Sequence, residues 1–257
     1  MEEVGIYVAT HKKFDNTRIT DSCYKCLYIG AANHPEYFGY ICDNSGCDNI
    51  SEKNPFYCEL TGLYWMWKNA PEQKYIGLCH YRRYPSRHRF GLNPYNQILT
   101  QKEILKKIQN ADILLPKKRI KNKYNAFCST EEELHNCKPY KYIAKAIAAD
   151  CPEYLDELKK TFMAKRMCFA NIFISSRETL NAYCEWLFRL LFIIEKDIKE
   201  ENNELPREYG YLSEWMLNVW VQHNKLKVKY IPIIFTENKP SLKYVLKRIK
   251  EIIELRI

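Results

Sequence analysis

Short apolar runs alternate with longer amphipathic segments along almost the whole chain. The apolar runs have the length of buried strands and read VGIYVAT (4–10), YIGLCH (75–80), ADILLP (111–116), FANIFISS (169–176) and KVKYIPIIF (227–235). Helical patterns lie between them, among them QKEILKKIQN (101–110) and RETLNAYCEWLFRLLFIIEKDI (177–198). Strands that alternate with helices predict an α/β fold with a mostly parallel central sheet flanked by helices.

The run YIGLCH continues directly into YRRY, so His80, Arg82 and Arg83 stand at the end of a predicted strand. Ligands of α/β sheets bind beyond the carboxyl ends of the strands. Arginine pairs a carboxylate or a phosphate through two parallel hydrogen bonds and keeps its charge. Two interpretations therefore stay open for Arg82 and Arg83: a clamp for a diphosphate, or a surface patch of salt bridges.

One carboxylate falls on the apolar side of a predicted helix. Asn54 and Pro55 are predicted as the N-cap and first residue of a helix that continues through FYCELTGLYWMWKN (56–69). At about 100° per residue, Glu59 lies inside the apolar arc of that helix, where an unpaired charge is costly. Glu59 is therefore either a contact to a ligand or an arginine, or a partly exposed residue at the rim.

A second carboxylate begins a polar stripe. Glu214, Asn218 and Gln222 are spaced by four on the predicted helix YLSEWMLNVWVQHN (211–224). Ser213 is a predicted N-cap, which places Glu214 in the first turn, where the helix dipole favours the ionised carboxylate. Facing a cleft, Glu214 would be a potential general base. The pattern alone favours a stripe that simply faces water.

The net charge and the composition of the chain indicate which kinds of partner it can bind. The formal net charge of +9 favours an anionic partner. The chain has only 8 glycines and contains neither GxGxxG nor GxxxxGKS/T, which excludes both common glycine-rich phosphate loops. The basic run KKRIKNKYN (117–125) is predicted to be a mobile loop. The closing segment 240–257 is predicted to be an amphipathic basic helix that either lies on an anionic membrane surface or packs against the domain.

Two further predictions concern location and an alternative class. The N-terminus is acidic and does not look like a signal peptide, and the longest apolar stretch, near 186–194, is too short to span a bilayer. A cytoplasmic protein, peripheral on the inner face of the cell membrane, is the resulting prediction. The alternative class is a non-enzymatic, basic α/β protein that binds nucleic acid through its aromatic residues. No standard nucleic-acid motif occurs, so we predict no nucleic-acid partner.

Four long motifs together resemble a known family. They read, in chain order, CDNSGCDNISEKNPFYCELTGLYWMWKN, YIGLCHYRRY, FANIFISSRETLNAYCEWLF and PREYGYLSEWMLNVW. In order and spacing they resemble a family of bacterial capsular and exopolysaccharide biosynthesis proteins, domain of unknown function 4422, which is grouped with GT-A glycosyltransferases. The resemblance runs from YVATHK to about residue 235. It implies a GT-A-like fold in one domain over 1–257, with a nucleotide-sugar-binding half (1–115) and an acceptor-side half (116–239).

The resemblance also implies roles for individual residues. Glu214 is the implied catalytic base, and Asn171, Arg207 and Tyr211 match positions on the acceptor or sugar side. Where the family commonly has arginine after the glutamate, this chain has Trp215. The family's GDNIS falls on 47–51, with the glycine replaced by cysteine. The implied donor-binding residues, which hold the diphosphate and the nucleotide, are Thr10, His11, Lys12, Asp48, Asn49, Glu59, His80, Arg82 and Arg83.

The implied activity is transfer of a hexosyl group from a nucleotide-sugar, UDP-linked and with UDP-galactofuranose as a candidate, by an inverting single displacement. The implied acceptor is a hydroxyl of a lipid-linked or oligosaccharide precursor of a cell-surface glycan. Many GT-A enzymes bind a divalent metal through Asp-x-Asp, a motif that occurs nowhere in this chain. Arginines can neutralise a leaving diphosphate without a metal. No cofactor is therefore predicted as obligatory, with Mn²⁺ or Mg²⁺ as the alternative.

Overall fold

The computed structural model describes residues 3–34, 36, 38–121 and 128–237. Eleven strands lie within them: β1 (Val4–Thr10), β2 (Tyr24–Tyr28), β3 (Ile41–Cys42), β4 (Tyr75–His80), β5 (Arg83–Pro85), β6 (Ile113–Pro116), β7 (Arg119–Ile120), β8 (Arg166–Met167), β9 (Phe173–Ser176), β10 (Val228–Ile231) and β11 (Ile233–Phe235). The same residues form eight α-helices: α1 (Asn54–Tyr57), α2 (Leu60–Asn69), α3 (Gln101–Ile108), α4 (Glu131–Asn136), α5 (Lys138–Asp150), α6 (Leu155–Met163), α7 (Arg177–Glu200) and α8 (Glu208–His223).

One mixed sheet carries most of the strands, in the order β10-β6-β9-β4-β1-β2-β3. Four of the six pairings along this path are parallel: β1 with β2, β1 with β4, β2 with β3, and β10 with β6. Strand β9 runs antiparallel to both β4 and β6. The short β5 pairs with β4 and with β11. The predicted α/β fold with a mostly parallel central sheet is confirmed.

Strand β1 shows why its sequence is a continuous apolar run. All seven of its residues are buried. Alternate side chains point to opposite faces of a strand. Ile6 and Val8 accordingly join one hydrophobic cluster together with α3, whereas Tyr7 and Ala9 join another that includes α2 and α5 to α8. Because helices cover both faces of the sheet, both sets of positions must be apolar.

The helix predicted after Asn54 and Pro55 is interrupted at Cys58, which has a left-handed φ of 52° and separates α1 from α2. The Asn54 side chain donates to the Cys58 carbonyl at 2.8 Å and to the Thr61 hydroxyl at 3.1 Å. Asn54 therefore stabilises the interruption. The prediction that Asn54 is the N-cap of the helix is wrong, because α1 begins at Asn54 itself. As a consequence, Glu59 lies at the N-cap of α2, and its predicted place on an apolar helix face is wrong.

Helix α8 begins more than one turn before Ser213, so the predicted N-cap at Ser213 is wrong. The Ser213 hydroxyl donates to the Gly210 carbonyl at 2.8 Å inside the helix. The residue in front of the helix is Arg207, which has a left-handed φ of 65°. Its backbone N–H donates to the Pro55 carbonyl at 2.9 Å. A tertiary contact to α1, and not a local capping side chain, fixes the start of α8.

Part of the basic segment 117–125 forms a strand, because β7 pairs with β8. Lys121, which follows β7, is buried, and its ammonium donates to the carbonyls of Thr161 and Phe162 at 2.8 and 2.6 Å. Burial lowers the pKa of Lys121 to about 8. The prediction of a mobile loop is wrong for β7 and Lys121.

Other predictions are not tested by the described residues. Residues 122–127 of the basic segment and the predicted closing helix 240–257 lie outside them. The proposed membrane surface therefore stays a prediction. Among the helices of the described ranges, none combines the length and the apolarity that crossing a bilayer requires. Both predicted halves contribute strands to the main sheet, and their separate roles stay a prediction.

Candidate active site

A cleft of about 330 Å³ opens at the carboxyl ends of β1 and β4. Its walls also include the interruption between α1 and α2, Ala170 in the segment that leads into β9, and the first turns of α8. Sixteen residues line it: Ala9, His11, Ile29, Asn54, Pro55, Cys58, Glu59, His80, Tyr81, Arg82, Arg83, Ala170, Arg207, Gly210, Tyr211 and Glu214. The location agrees with the general place of ligands in α/β sheets.

The structure brings most of the predicted site residues together. Eight of them line the cleft: His11, Glu59, His80, Arg82, Arg83, Arg207, Tyr211 and Glu214. They come from four separate stretches of the chain, and the strand ends and helix starts described above place them side by side. Their common location supports the residue assignments as a group, while the role of each stays a prediction.

The remaining predicted residues lie around or away from the cleft. The buried Thr10 hydroxyl donates to the Lys12 carbonyl at 2.6 Å, and the Lys12 ammonium lies 5.2 Å from the centre of the Tyr81 ring. Asp48 accepts a hydrogen bond from the Tyr64 hydroxyl at 2.8 Å. Asn49 accepts one from a neighbouring backbone N–H at 3.2 Å. Neither Asp48 nor Asn49 lines the cleft, so the geometry does not support a donor contact for them.

The peptide unit of Ala170 is held by two side chains of the cleft. Its N–H donates to Oε1 of Glu214 at 2.8 Å. Its carbonyl oxygen lies 2.7 Å from Nε2 of His80, which therefore carries the proton and donates. Within the described residues, Oε2 of Glu214 forms no hydrogen bond. One carboxylate oxygen is thus fixed, and the other is available to a group in the cleft.

The pKa of Glu214 is raised to about 7, first by burial and then by the negative charge of Glu59. The Ala170 N–H and the charge of Arg83 oppose this shift without cancelling it. The sequence predicts that Glu214 lies in the first turn of a helix, where the dipole favours the ionised carboxylate. The pKa shift in the structure has the opposite direction. A carboxyl with a pKa near neutrality is suited to accept a proton.

Burial also affects the neighbouring groups of the cleft. It lowers the pKa of His80, which favours the neutral imidazole that donates to Ala170. It lowers the pKa of Arg83 as well, yet a guanidinium remains charged in proteins. The Nε of Arg83 is buried and has no hydrogen-bond partner among the described residues. Arg83 therefore offers a charged donor group for which a ligand is the natural partner.

Asn171 lies directly behind the cleft and is almost fully buried. Its amide nitrogen lies 2.9 Å from Oε1 of Glu59, 2.8 Å from Oγ of Ser213 and 3.3 Å from the carbonyl oxygen of Gly210. These contacts join the start of α2 to the first turns of α8. Asn171, assigned to the sugar or acceptor side, thus orients Glu59 from behind.

Backbone strain is concentrated at this site. Six non-glycine residues of the described ranges have a positive φ, and four of them, Cys58, Ala170, Asn171 and Arg207, line or directly support the cleft. Each such conformation costs on the order of 1–3 kcal/mol and persists only where the surroundings enforce it. This concentration of strain is a separate observation that favours the cleft as the functional site.

A pair of variants separates strain from hydrogen bonding at Asn171. Asn171→Ala removes the amide contacts and keeps a Cβ at a φ of 48°. We expect it to lower the free energy of unfolding by more than Asn171→Gly, with a difference of about 1 kcal/mol measured by urea denaturation. Asn202 has a φ of 50° and is exposed, so Asn202→Ala and Asn202→Gly report strain alone. Equal losses in the two Asn171 variants would contradict strain at this position.

Sequence reasoning missed several residues of the cleft. Tyr81 stood within the motif HYRRY but was not assigned a role, although Lys12 and Arg82 both approach its ring, at 5.2 and 5.5 Å. Cys58 and Gly210 lie inside the four motifs, but no residue pattern predicts a function for them. Gly210 suits this position because a Cβ there would approach Cys58 Cβ to 3.2 Å, which is closer than an ordinary contact. These residues reach the cleft because separate motifs pack against each other in the fold. A single sequence carries no signal for such tertiary proximity.

The described side chains of the cleft do not form a ready-made metal site. Within the described ranges, no group of three or more histidine, cysteine, aspartate and glutamate side chains could hold one. The two carboxylates of the cleft, Glu59 and Glu214, already accept hydrogen bonds from Asn171 and the Ala170 N–H. The absence of an obligatory cofactor, with Mn²⁺ or Mg²⁺ as the alternative, stays a prediction.

Comparison with known proteins agrees with the fold described above. The apo structure of the WbbM bifunctional glycosyltransferase is similar, with a TM-score of 0.76 and 27% sequence identity over 92% of this chain and 46% of that chain. The chain thus spans less than half the length of that enzyme. A comparison with curated proteins finds no match. The predicted GT-A-like fold is confirmed by this likeness. Residues 5–225 match the family described as domain of unknown function (DUF4422), and because the match covers most of the chain, the protein belongs to that family.

Proposed function

We propose that the protein is a glycosyltransferase that moves a sugar from a nucleotide-sugar to a hydroxyl group of a glycan. The observation that carries the proposal is one carboxylate, Glu214, whose pKa of about 7 fits a base and which lines the same cleft as Arg82, Arg83 and Arg207. Glycosyl transfer needs both features, a proton acceptor and positive charge at the leaving group. The likeness to a bifunctional glycosyltransferase supports the same class.

The arginines bind the diphosphate of the donor. Arg83 is half-buried beside Arg82, and Arg207, directly before α8, also lines the cleft. As the bond from the anomeric carbon to the diphosphate breaks, the diphosphate takes the electron pair and gains negative charge. Fixed cations that face this charge stabilise the transition state because they need no rearrangement.

Glu214 accepts the proton of the acceptor hydroxyl. The acceptor oxygen forms the new glycosidic bond from the side opposite the departing diphosphate, and its proton moves to the carboxylate of Glu214. A single displacement of this kind inverts the anomeric centre. Ala170 keeps Oε1 of Glu214 in place, and the second oxygen is available to the hydroxyl.

The finer assignments belong to the same proposal. The donor is UDP-linked, with UDP-galactofuranose as a candidate, and the acceptor is a lipid-linked or oligosaccharide precursor of a cell-surface glycan. These assignments derive from the family that the four sequence motifs resemble. The transfer uses no obligatory cofactor.

A thermal-shift screen tests the proposal. A ligand that binds only the folded state stabilises it by about 2.7 kcal/mol at 100 times its Kd. We expect UDP and UDP-hexoses to raise the Tm of the full chain, and cytidine diphosphate or a single-stranded oligonucleotide to raise it less. A shift with the oligonucleotide, lost at high salt, together with none for any nucleotide-sugar, would support the nucleic-acid-binding alternative instead.

A further inference from the structure

A second cavity, of about 280 Å³, lies beside β10 at the edge of the sheet. Its walls come from β6, the end of α6, β8, the second half of α8 and β10. Helix α8 therefore borders both cavities, with its first turns at the cleft and its last turns at this second cavity. Nothing in the proposed transfer reaction uses the second cavity.

The lining of this cavity is positively charged. Lys118, Arg166 and Lys225 line it, and no aspartate or glutamate does. In the described part of the chain, none of these three side chains has an ion-pair partner. Lys225 also has a left-handed φ of 52°. A concave surface with cations of one sign concentrates anions.

Neutral groups in the same cavity suit a sugar. The Thr161 hydroxyl is buried and lacks a hydrogen-bond partner among the described residues, although Thr161 lines the cavity and is only 4% exposed. Gln222 contributes an exposed amide. The Tyr230 ring is 41% exposed, and the Lys118 ammonium lies 5.9 Å from its centre. An open aromatic face with hydroxyl and amide groups nearby can pack against the C–H groups of a sugar and hydrogen-bond its hydroxyls.

One short segment separates the two cavities. Cys168 lines the second cavity, and Ala170 lines the cleft. Asn218 fixes this segment, because its side chain donates to the Cys168 carbonyl and accepts from the Cys168 N–H, both at 2.9 Å. From Glu214 to Gln222, α8 advances by about 12 Å at 1.5 Å per residue. A short oligosaccharide is long enough to contact both ends.

We propose that this second cavity binds an anionic saccharide, bearing a phosphate or a carboxylate, as a remote part of the acceptor chain. The assignment to the acceptor rests on the proposed glycosyltransferase function. The polar stripe Glu214, Asn218 and Gln222 then has one purpose along its length: Glu214 faces the reacting hydroxyl, Asn218 holds the dividing segment, and Gln222 contacts the remote sugar.

Isothermal titration of the full chain with monosaccharides tests this site without requiring transfer. Glucose 6-phosphate and glucuronate are expected to bind, and glucose and inorganic phosphate to bind at least tenfold more weakly. The double variant Arg166→Ala/Lys225→Ala is expected to lower the affinity for both anionic sugars by at least tenfold. Lys102→Ala removes one exposed cation from α3 and serves as the control, with unchanged affinity.

The contrary outcomes are specific. Equal affinity for the anionic sugars in the wild type and the double variant, or no binding to the wild type, would overturn the proposal. Inorganic phosphate that binds as tightly as glucose 6-phosphate would exclude a saccharide site. In the presence of saturating UDP, the affinity for glucose 6-phosphate must stay within about twofold of its value without UDP. Displacement of glucose 6-phosphate by UDP would place the sugar in the cleft and overturn the proposal. A wild type that binds anionic sugars but not UDP would contradict the proposed function and leave this site intact.

Discussion

In the Glu214→Gln variant, kcat is expected to fall by about 10²–10⁴-fold while donor affinity changes little. A base acts in the transition state, so its loss affects turnover more than binding. The amide keeps the shape of the side chain, and its oxygen can still accept from the Ala170 N–H. Steady-state kinetics with a UDP-sugar donor and calorimetric titration with UDP measure the two quantities separately.

The pH dependence of the wild type gives a second readout for Glu214. Burial, reinforced by the charge of Glu59, raises the pKa of Glu214 to about 7. Only the deprotonated carboxylate accepts a proton, so kcat should rise with pH through about 7 and level off above it. This rise should be absent from the Glu214→Gln profile.

Two other carboxylates are the controls for this assignment. Glu59→Gln should mainly alter donor affinity, because Glu59 lines the cleft and is oriented by Asn171. Asp48→Asn should have a small effect, because Asp48 does not line the cleft. If Glu214→Gln turns over normally while either control variant is inactive, the base has been assigned to the wrong residue.

The second large effect is expected at Arg83. Arg83→Ala should weaken UDP-sugar binding by about 10–150-fold, since a charge-assisted hydrogen bond contributes about 1.5–3 kcal/mol. Arg82→Ala should have a smaller effect. The Arg82 side chain is 45% exposed and lies 3.6 Å from Glu237, so solvent and a carboxylate already compete for it. Calorimetric titration of the two variants with UDP ranks them.

Arg87→Ala is the matched control, because Arg87 pairs with Glu103 and does not line the cleft. If the Arg82→Ala and Arg83→Ala variants both bind the donor with the affinity of the wild type, the diphosphate clamp is refuted. Activity is also expected to survive treatment with a chelator. A strict requirement for added Mn²⁺ or Mg²⁺ would refute the metal-free form of the mechanism and leave the arginine contacts standing.

The central strands could be predicted because burial on both faces makes their sequences continuously apolar. β1 and β4 are such runs, and the polar residues that follow them, His11 and Arg82, lie in the cleft. The carboxyl-end rule for α/β sheets predicts that these residues lie together, and they line one cleft. This much follows from local sequence and from general topology.

The environment of Glu214 could not be predicted in the same way. The sequence indicated a helix start at Ser213 and an ionised carboxylate, whereas a contact between Arg207 and Pro55 moves the helix start upstream. The raised pKa comes from burial and from Glu59, which belongs to a distant stretch of the chain. Similarly, the interruption at Cys58 depends on hydrogen bonds from Asn54 that a helical pattern does not indicate.

The reversed direction of β9 in the sheet has a consequence for how the carboxylate of Glu214 is positioned. In a parallel neighbour of β4, the residues that reach the cleft would follow the strand. Because β9 is antiparallel, the residues at the cleft precede it: Ala170, which lines the cleft, and Asn171 behind it lie in the connection that enters β9. Strand polarity thus brings an entering segment, and not a departing loop, against Glu214. A search for catalytic residues in this family should therefore include the approaches to antiparallel strands as well as the exits of parallel ones.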